Sequence, residues 1–129
     1  MKISFDSLKP VYMQISEAIE DDILSGRLAE GSPAYSQLII SRELNVNPAT
    51  AAKGINVLVS KGILEKQRGT SMIVSHGAKK RLLEERRETG VNEIISSLVT
   101  EAVKIGITET ELLEKVKSYY KKLDGERNG

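Results

Sequence analysis

The chain has 129 residues and a mass of 14.2 kDa, with 40% hydrophobic and 29% charged residues and a formal net charge of +1. These proportions describe one folded domain, or a small domain with an appendage, and argue against wholesale disorder. Cysteine is absent and His76 is the single histidine. Disulfides, thiolate metal sites and cysteine nucleophiles are therefore excluded, and nothing is left for a histidine metal cluster or a hydrolytic triad. No metal or cofactor is expected. No apolar run approaches the ~20 residues of a membrane span, and residues 1–12 lack the basic-then-apolar pattern of a signal peptide. The expectation is a cytoplasmic chain with no membrane partner.

The small net charge conceals a gradient. Residues 1–30 hold three basic and six acidic residues, residues 31–76 five and two, and residues 77–129 eleven and ten. A locally basic middle segment suits an anionic partner read by one face, or equally a solvated surface.

In chain order, the first helical pattern starts at Pro10, a tolerated first-turn residue. Tyr12, Ile15, Ile19 and Ile23 recur at three- and four-residue spacing and Gly26 stops the run. Residues 28–33 read as a turn with a short extended piece. Ser36 caps a second, short helix to Leu44, with Leu38, Ile40 and Leu44 as apolar contacts. Asn47 and Pro48 then supply an N-cap and a first helical residue. The third helix runs to about Lys61, ends at Gly62, and buries Ile55, Leu58 and Val59. Residues 63–67 and 71–75 flank Arg68-Gly69-Thr70 as a β-hairpin.

From Gly77 the pattern is helical again, with Val91, Ile94, Ile95, Leu98, Val99 and Ala102 in one stripe. Gly106 breaks it. Thr108-Glu109-Thr110-Glu111 has capping-box spacing and opens a last helix carrying Leu112, Leu113, Val116, Tyr119, Tyr120 and Leu123. The tail 124–129 is expected to fray.

Helix, short helix, turn, helix and hairpin is the order of a winged helix-turn-helix, in which the second helix of the pair enters the major groove and the hairpin reaches the adjacent backbone or minor groove. The predicted fold is mainly α with a small β-hairpin: an N-terminal winged helix-turn-helix at 1–76, then two C-terminal dimerisation helices at 77–129. Two amphipathic helices cannot bury both stripes alone, so a second copy of the chain is the simplest cover. The dimerisation residues are then Ile94, Ile95, Leu98, Val99, Ala102, Leu112, Leu113, Val116, Tyr119 and Tyr120.

The residues also carry a family resemblance. Pro10-Val11-Tyr12-Met13-Gln14-Ile15 resembles a P-I-Y-x-Q-I start, and residues 23–31, ILSGRLAEG, resemble an I-x-x-G-x-L-x-x-G segment. Residues 44–50 are similar to the turn before a recognition helix, and residues 58–64 to the helix end entering a wing. Residues 101–108, EAVKIGIT, match an E-A-x-x-L-G-I/L-S/T seam. Together these resemble the GntR family of bacterial transcription regulators, in its short YtrA-like type, over about residues 8 to 120.

The resemblance implies a winged-helix DNA-binding domain and two helices after it. Departures cluster where DNA would be touched. Ala34-Tyr35-Ser36-Gln37-Leu38 stands where the family writes L-P-S-x-R, so Leu38 replaces an arginine that often contacts DNA. Gly54 replaces the usual alanine, and Gly69-Thr70-Ser71 keeps one of two wing glycines. If the missing arginine made a bidentate base contact, its loss costs ~1–3 kcal/mol.

The implied function is sequence-specific regulation by a homodimeric repressor on an imperfect palindrome, with residues 48–61 in the groove and 63–75 as wing. Candidate DNA contacts are Ser36, Gln37, Asn47, Thr50, Lys53, Asn56, Lys66, Arg68, Gly69 and Thr70. Thr50 and Lys53 share a helix face and either meet phosphate and base edges or are ordinary solvent-facing residues. Asn47 suits a cap better than a base reader. Arg68 and Lys66 face phosphate or merely solubilise the hairpin. Tyr35 reads as a packing substitution, and Glu84-Glu85 with Arg86-Arg87 as exposed helical ion pairing.

Asp21 and Asp22 lie on an exposed face without a pocket, and no nucleotide-binding or metalloprotease motif occurs, so an enzyme is not expected. The alternatives are a winged-helix protein–protein adaptor or antirepressor, and a non-specific nucleoid-type binder. The short tail leaves no room for a dedicated effector pocket inside one subunit. An unidentified small-molecule effector would sit between subunits, or between tail and DNA-binding domain.

Overall fold

The computed structural model describes residues 1–67, 69 and 72–128. Helix α1 is Val11–Ser25, with Pro10 just outside it as N-cap at ψ 144°. The extended ψ places Pro10 outside the helix, and its carbonyl accepts from the Met13 and Gln14 N–H groups of the first turn. Ile15, Ile19 and Ile23 are buried, and Gly26 closes the helix in the left-handed region at φ +87°, donating its N–H to the Ile23 carbonyl.

Helix α2 is Gln37–Leu44 and α3 is Pro48–Ser60. The turn between them is held by Asn45 at φ +52°, a conformation asparagine tolerates, and by the Ser41 hydroxyl donating to the Val46 carbonyl at 2.7 Å. Helix α3 spends Ala51, Gly54, Ile55 and Leu58 on the core. Gly54 is the point of closest approach to α1. A Cβ there would lie 2.9 Å from both Ile15 Cγ2 and the Tyr12 carbonyl oxygen. The glycine that departs from the resemblance is therefore a packing requirement.

Strands β1, Leu64–Lys66, and β2, Met72–Val74, pair antiparallel with Leu64 opposite Val74 and Lys66 opposite Met72. Residues 31–34 run along the far edge of β2. Gly31 N–H donates to Val74 O, Val74 N–H to Ser32 O, and Ala34 N–H to Met72 O. Pro33 bridges Ile73 at a position where the ladder needs no amide from it. The expected extended piece thus becomes a third layer of the wing's base. Leu64 and Val74 turn inward to join Leu58 and Ile63 in the core.

The first compact unit reaches Arg86, ten residues beyond the expected boundary at 76/77. Helix α4, Ala78–Glu85, packs on α1, with Ala78 and Leu82 buried. Its end is locked by charge. The nearly buried Glu20 carboxylate receives Lys61 Nζ at 3.3 Å and Arg86 Nη2 at 3.4 Å, while Lys61 also reaches Glu85 at 3.0 Å and Arg86 reaches Asp21 at 3.0 Å. Glu85 and Arg86 therefore cross-link helices and do not simply pair along their own. Burial pulls the Lys61 ammonium down, but hydrogen bonding to Glu85 and the Glu20 charge outweigh it and the net direction is up. Arg86 moves the same way, its burial outweighed by Asp21 and Glu20.

A π-helical turn, Arg86–Gly90, follows, where Asn92 Nδ2 takes the Glu88 carbonyl at 2.6 Å. The second unit comprises α5, Val91–Lys104, and α6, Glu109–Asn128. Gly106 turns the chain at φ +77°, and Thr108 Oγ1 caps α6 by accepting from Glu111 N–H at 3.2 Å. The expected frayed tail is corrected: α6 stays helical through Gly125 to Asn128. One interior glycine costs only ~1 kcal/mol against alanine and does not by itself end a helix.

Replacing Gly54 with alanine raises helix propensity by ~1 kcal/mol but forces α1 and α3 apart, which costs ~1–3 kcal/mol in a packed core. Urea denaturation of Gly54→Ala is expected to show a net loss of stability. An unchanged or higher midpoint would mean that α1 yields without cost.

Candidate nucleic-acid interface

The start of α2 is exposed. Ser36 Oγ accepts from Ile39 N–H at 3.1 Å, and Gln37 lies beside it facing solvent. As cap, Ser36 uses one lone pair and keeps its hydroxyl proton free to donate. Leu38, expected as a core contact, is 55% exposed, and Ile39 is exposed next to it. The core positions of this short helix go to Ile40, with Leu44 half-buried, because one helical face cannot also hold residue 38.

The start of α3 lies a tight turn away. Asn47 Oδ1 accepts from Ala49 N–H at 2.8 Å, which leaves the Asn47 side-chain NH2 as a donor. Lys53 and Asn56 lie on the exposed side of α3, opposite the buried Ala51, Gly54, Ile55 and Leu58. Thr50 sits half-buried at the edge of that surface. Helix α3 contains no acidic residue. Lys53 does not simply extend into water: its ammonium lies 4.1 Å from the centre of the Tyr12 ring on α1. The aromatic face fixes the cation in place, a contact that sequence spacing gave no means to see.

In the wing, Lys66 is exposed at the end of β1, and Gly69 takes φ +103°, a value that a side chain would strain. Arg68 and Thr70, and the departure at Ser71, lie outside the described residues. The geometry brings together Ser36 and Gln37 at one helix start with Asn47, Thr50, Lys53 and Asn56 on the next, joined by a three-residue turn.

No family model matches the chain. Its sequence is 26% identical over 119 residues to the uncharacterized HTH-type transcriptional regulator YhcF of Bacillus subtilis (strain 168), spanning 92% of this chain and 97% of that protein. It is 28% identical over 123 residues to the HTH-type transcriptional repressor YtrA of the same organism, spanning 95% and 91%. A solved GntR family transcriptional regulator from Listeria monocytogenes is similar at a TM-score of 0.73 and 27% identity, over 88% of this chain and 98% of that one. In sequence and fold the chain is similar to GntR family transcriptional regulators.

These relatives are named as transcriptional regulators, and none of them as an enzyme. No helix among the described residues is long and apolar enough to cross a membrane. The second unit leaves most of its stripes open: Ile94, Ile95, Leu98, Val99, Leu113, Val116, Tyr119 and Tyr120 are all exposed and Leu112 is half-buried. Ala102 is a correction, since it is 4% exposed and accepts the Ile107 amide at 2.9 Å. The turn that joins α5 to α6 already uses it.

Sequence reasoning missed Tyr35 and Asp22. Asp22 was expected on an exposed face, yet its side chain is only 13% exposed and accepts the Tyr35 hydroxyl at 2.6 Å, with Arg27 3.6 Å away. Tyr35 thus ties the segment before α2 to the end of α1. Its hydrogen bond to Asp22, then burial, then the Asp22 charge push the phenol up to about 12. Beside the wing the first unit carries an open groove of about 350 Å³, lined in part by Lys66, Ser75 and Arg81.

A phenol with a raised folded pKa contributes stability that is complete below its unfolded value, 10.0, and is lost as pH climbs towards about 12. Tyr35→Phe is expected to lower stability at neutral pH by ~1–3 kcal/mol, since a hydrogen bond to a carboxylate is removed. The gap to wild type should narrow above pH 10, as followed by urea midpoints at stepped pH. A gap independent of pH would show that the hydroxyl does not couple to Asp22.

Proposed function

We propose that this regulator works as a homodimeric repressor that binds an imperfect palindrome, with α3 in the major groove of each half-site and the wing on the flanking backbone or minor groove. The observation that carries the reading is the exposed side of α3. It is free of acidic side chains and presents Lys53 and Asn56, with Asn47 and Thr50 at its start. Ser36, Thr50, Lys53, Lys66 and Arg68 act as phosphate contacts that set position, and they carry no sequence information themselves. Gln37, Asn47 and Asn56 are the polar groups for base edges or nearby phosphates, with Gly69 and Thr70 bringing the wing tip close to the backbone. Leu38, in place of an arginine, offers an apolar surface, which suits a thymine methyl better than a guanine edge.

Dimerisation through α5 and α6 is supported by the exposed apolar residues on both helices, more than a monomer in water would leave uncovered. A second copy supplies a matching surface by symmetry and sets the distance between two recognition helices. Half-sites about one helical turn apart follow from that arrangement.

Fluorescence anisotropy with a duplex from the gene's own promoter and a scrambled duplex, at about 50 and about 200 mM salt, tests the DNA reading. Preference for the promoter with a steep salt slope is expected. Lys53→Ala should weaken binding to both duplexes alike and reduce the salt slope by about 1. Equal affinity for the two duplexes would point to a non-specific binder. No binding by folded dimer would favour a protein–protein adaptor. Sedimentation equilibrium tests the dimer: Leu98→Asp should give monomer at micromolar concentration, and a wild-type chain that is monomeric there would sink the homodimer.

A further inference from the structure

The groove beside the wing lies between the end of α3, strand β1 and helix α4. Arg81 Nη1 donates to the Gly62 carbonyl at 2.8 Å, which fixes the guanidinium there and leaves its other N–H groups for a second acceptor. Lys66 and His76 line the same groove, with Glu65 as the one carboxylate among its lining residues. Ser75 also lines it, is 5% exposed, and its hydroxyl has no hydrogen-bond partner among the described residues. Buried hydroxyls are nearly always paired, because an alanine or valine would avoid the desolvation cost of leaving one unmatched. The orphan hydroxyl belongs to a residue that shares the groove's lining with two cations, which together offer an acceptor positive charge and a donor.

We propose that this groove binds a small phosphomonoester, with Lys66 and Arg81 on the phosphate, Ser75 donating to it, and the organic body against Val59 and Leu64. Lys66, Arg81 and Ser75 are three donors, which the three terminal oxygens of a phosphomonoester match better than the two of a carboxylate, and with Glu65 counted the lining remains net positive. The volume of about 350 Å³ fits a small metabolite. A duplex phosphate has no organic body to place on Val59 and Leu64. The site also carries a consequence for regulation, which rests on the DNA reading above. Lys66 belongs to both groove and wing, so a bound dianion neutralises a wing cation and weakens the hold on DNA.

The first test uses the DNA-free protein, with amide NMR shifts followed during titration by phenyl phosphate, inorganic phosphate and benzoate. Saturable shifts at Gly62, Ser75, His76 and Arg81 are expected with phenyl phosphate, weaker ones with inorganic phosphate, and none with benzoate. Ser75→Ala removes a hydroxyl with no partner, so it should fold normally while binding phenyl phosphate about tenfold more weakly. Arg81→Gln should abolish the shifts. Absence of shifts, equal shifts with benzoate, or unchanged affinity in Ser75→Ala would overturn the site. A second arm repeats the promoter titration with saturating phenyl phosphate, where severalfold weaker DNA binding is expected. Unchanged affinity there overturns the coupling. A protein that binds no DNA at all overturns the DNA reading and leaves the NMR result to decide the site.

Discussion

Helix α3 crosses α1 so closely that a methyl group at Gly54 would stand 2.9 Å from the Ile15 side chain and from a backbone oxygen of α1, and the rest of the first unit is arranged around that approach. Ile15, Ile19 and Ile23 share one buried cluster with Ile55 and Leu58, and no aromatic residue is among its fully buried members. The approach also decides which side of α3 remains free. Once Ala51, Gly54, Ile55 and Leu58 are committed inward, the helical period leaves Lys53 and Asn56 outside. It brings the Tyr12 ring within 4.1 Å of the Lys53 ammonium as well, so one packing contact both exposes the cation and restrains it.

The acidic residues of α1 are paired within the first unit, Glu20 in the interior and Asp21 near the surface. Glu20 meets Lys61 and Arg86, Asp21 meets Arg86, and Asp22 meets Tyr35 and Arg27. This arrangement lets a chain of net charge +1 present an α3 surface without carboxylates. It is also what draws α4 into the first unit. A buried carboxylate is costly without partners, and Arg86 supplies one from the far end of that helix. The second unit follows the opposite principle: α5 and α6 are well capped and turned, and their apolar surface stays largely exposed.

Local signals in the sequence determined the element order through the hairpin and the caps of α2, α3 and α6, but not the break at Arg86–Gly90 that separates α4 from α5. Ser36, Asn47 and Thr108 cap helices through bonds two or three residues long, and Gly26 and Gly106 supply left-handed stops. These are written into the chain because cause and effect lie within one turn of helix. Hydrophobic spacing likewise identified the buried face of α1 and the open faces of α5 and α6. The winged helix-turn-helix followed from that order, and the resemblance to GntR regulators from the motifs at residues 10–15, 23–31 and 101–108.

Only the tertiary structure decided what depends on partners distant in sequence. Tyr35 finds Asp22 across 13 residues, Lys61 finds Glu20 across 41, and Arg86 finds Glu20 across 66. Spacing along the chain carries no information about such pairs. The same reason hid the role of Gly54, the stacking of Lys53 on Tyr12 and the unpaired Ser75 hydroxyl beside the wing. Leu38 and Ala102 exchanged their expected environments because apolar character shows that a residue can be buried, while the geometry of the neighbouring elements settles whether it is.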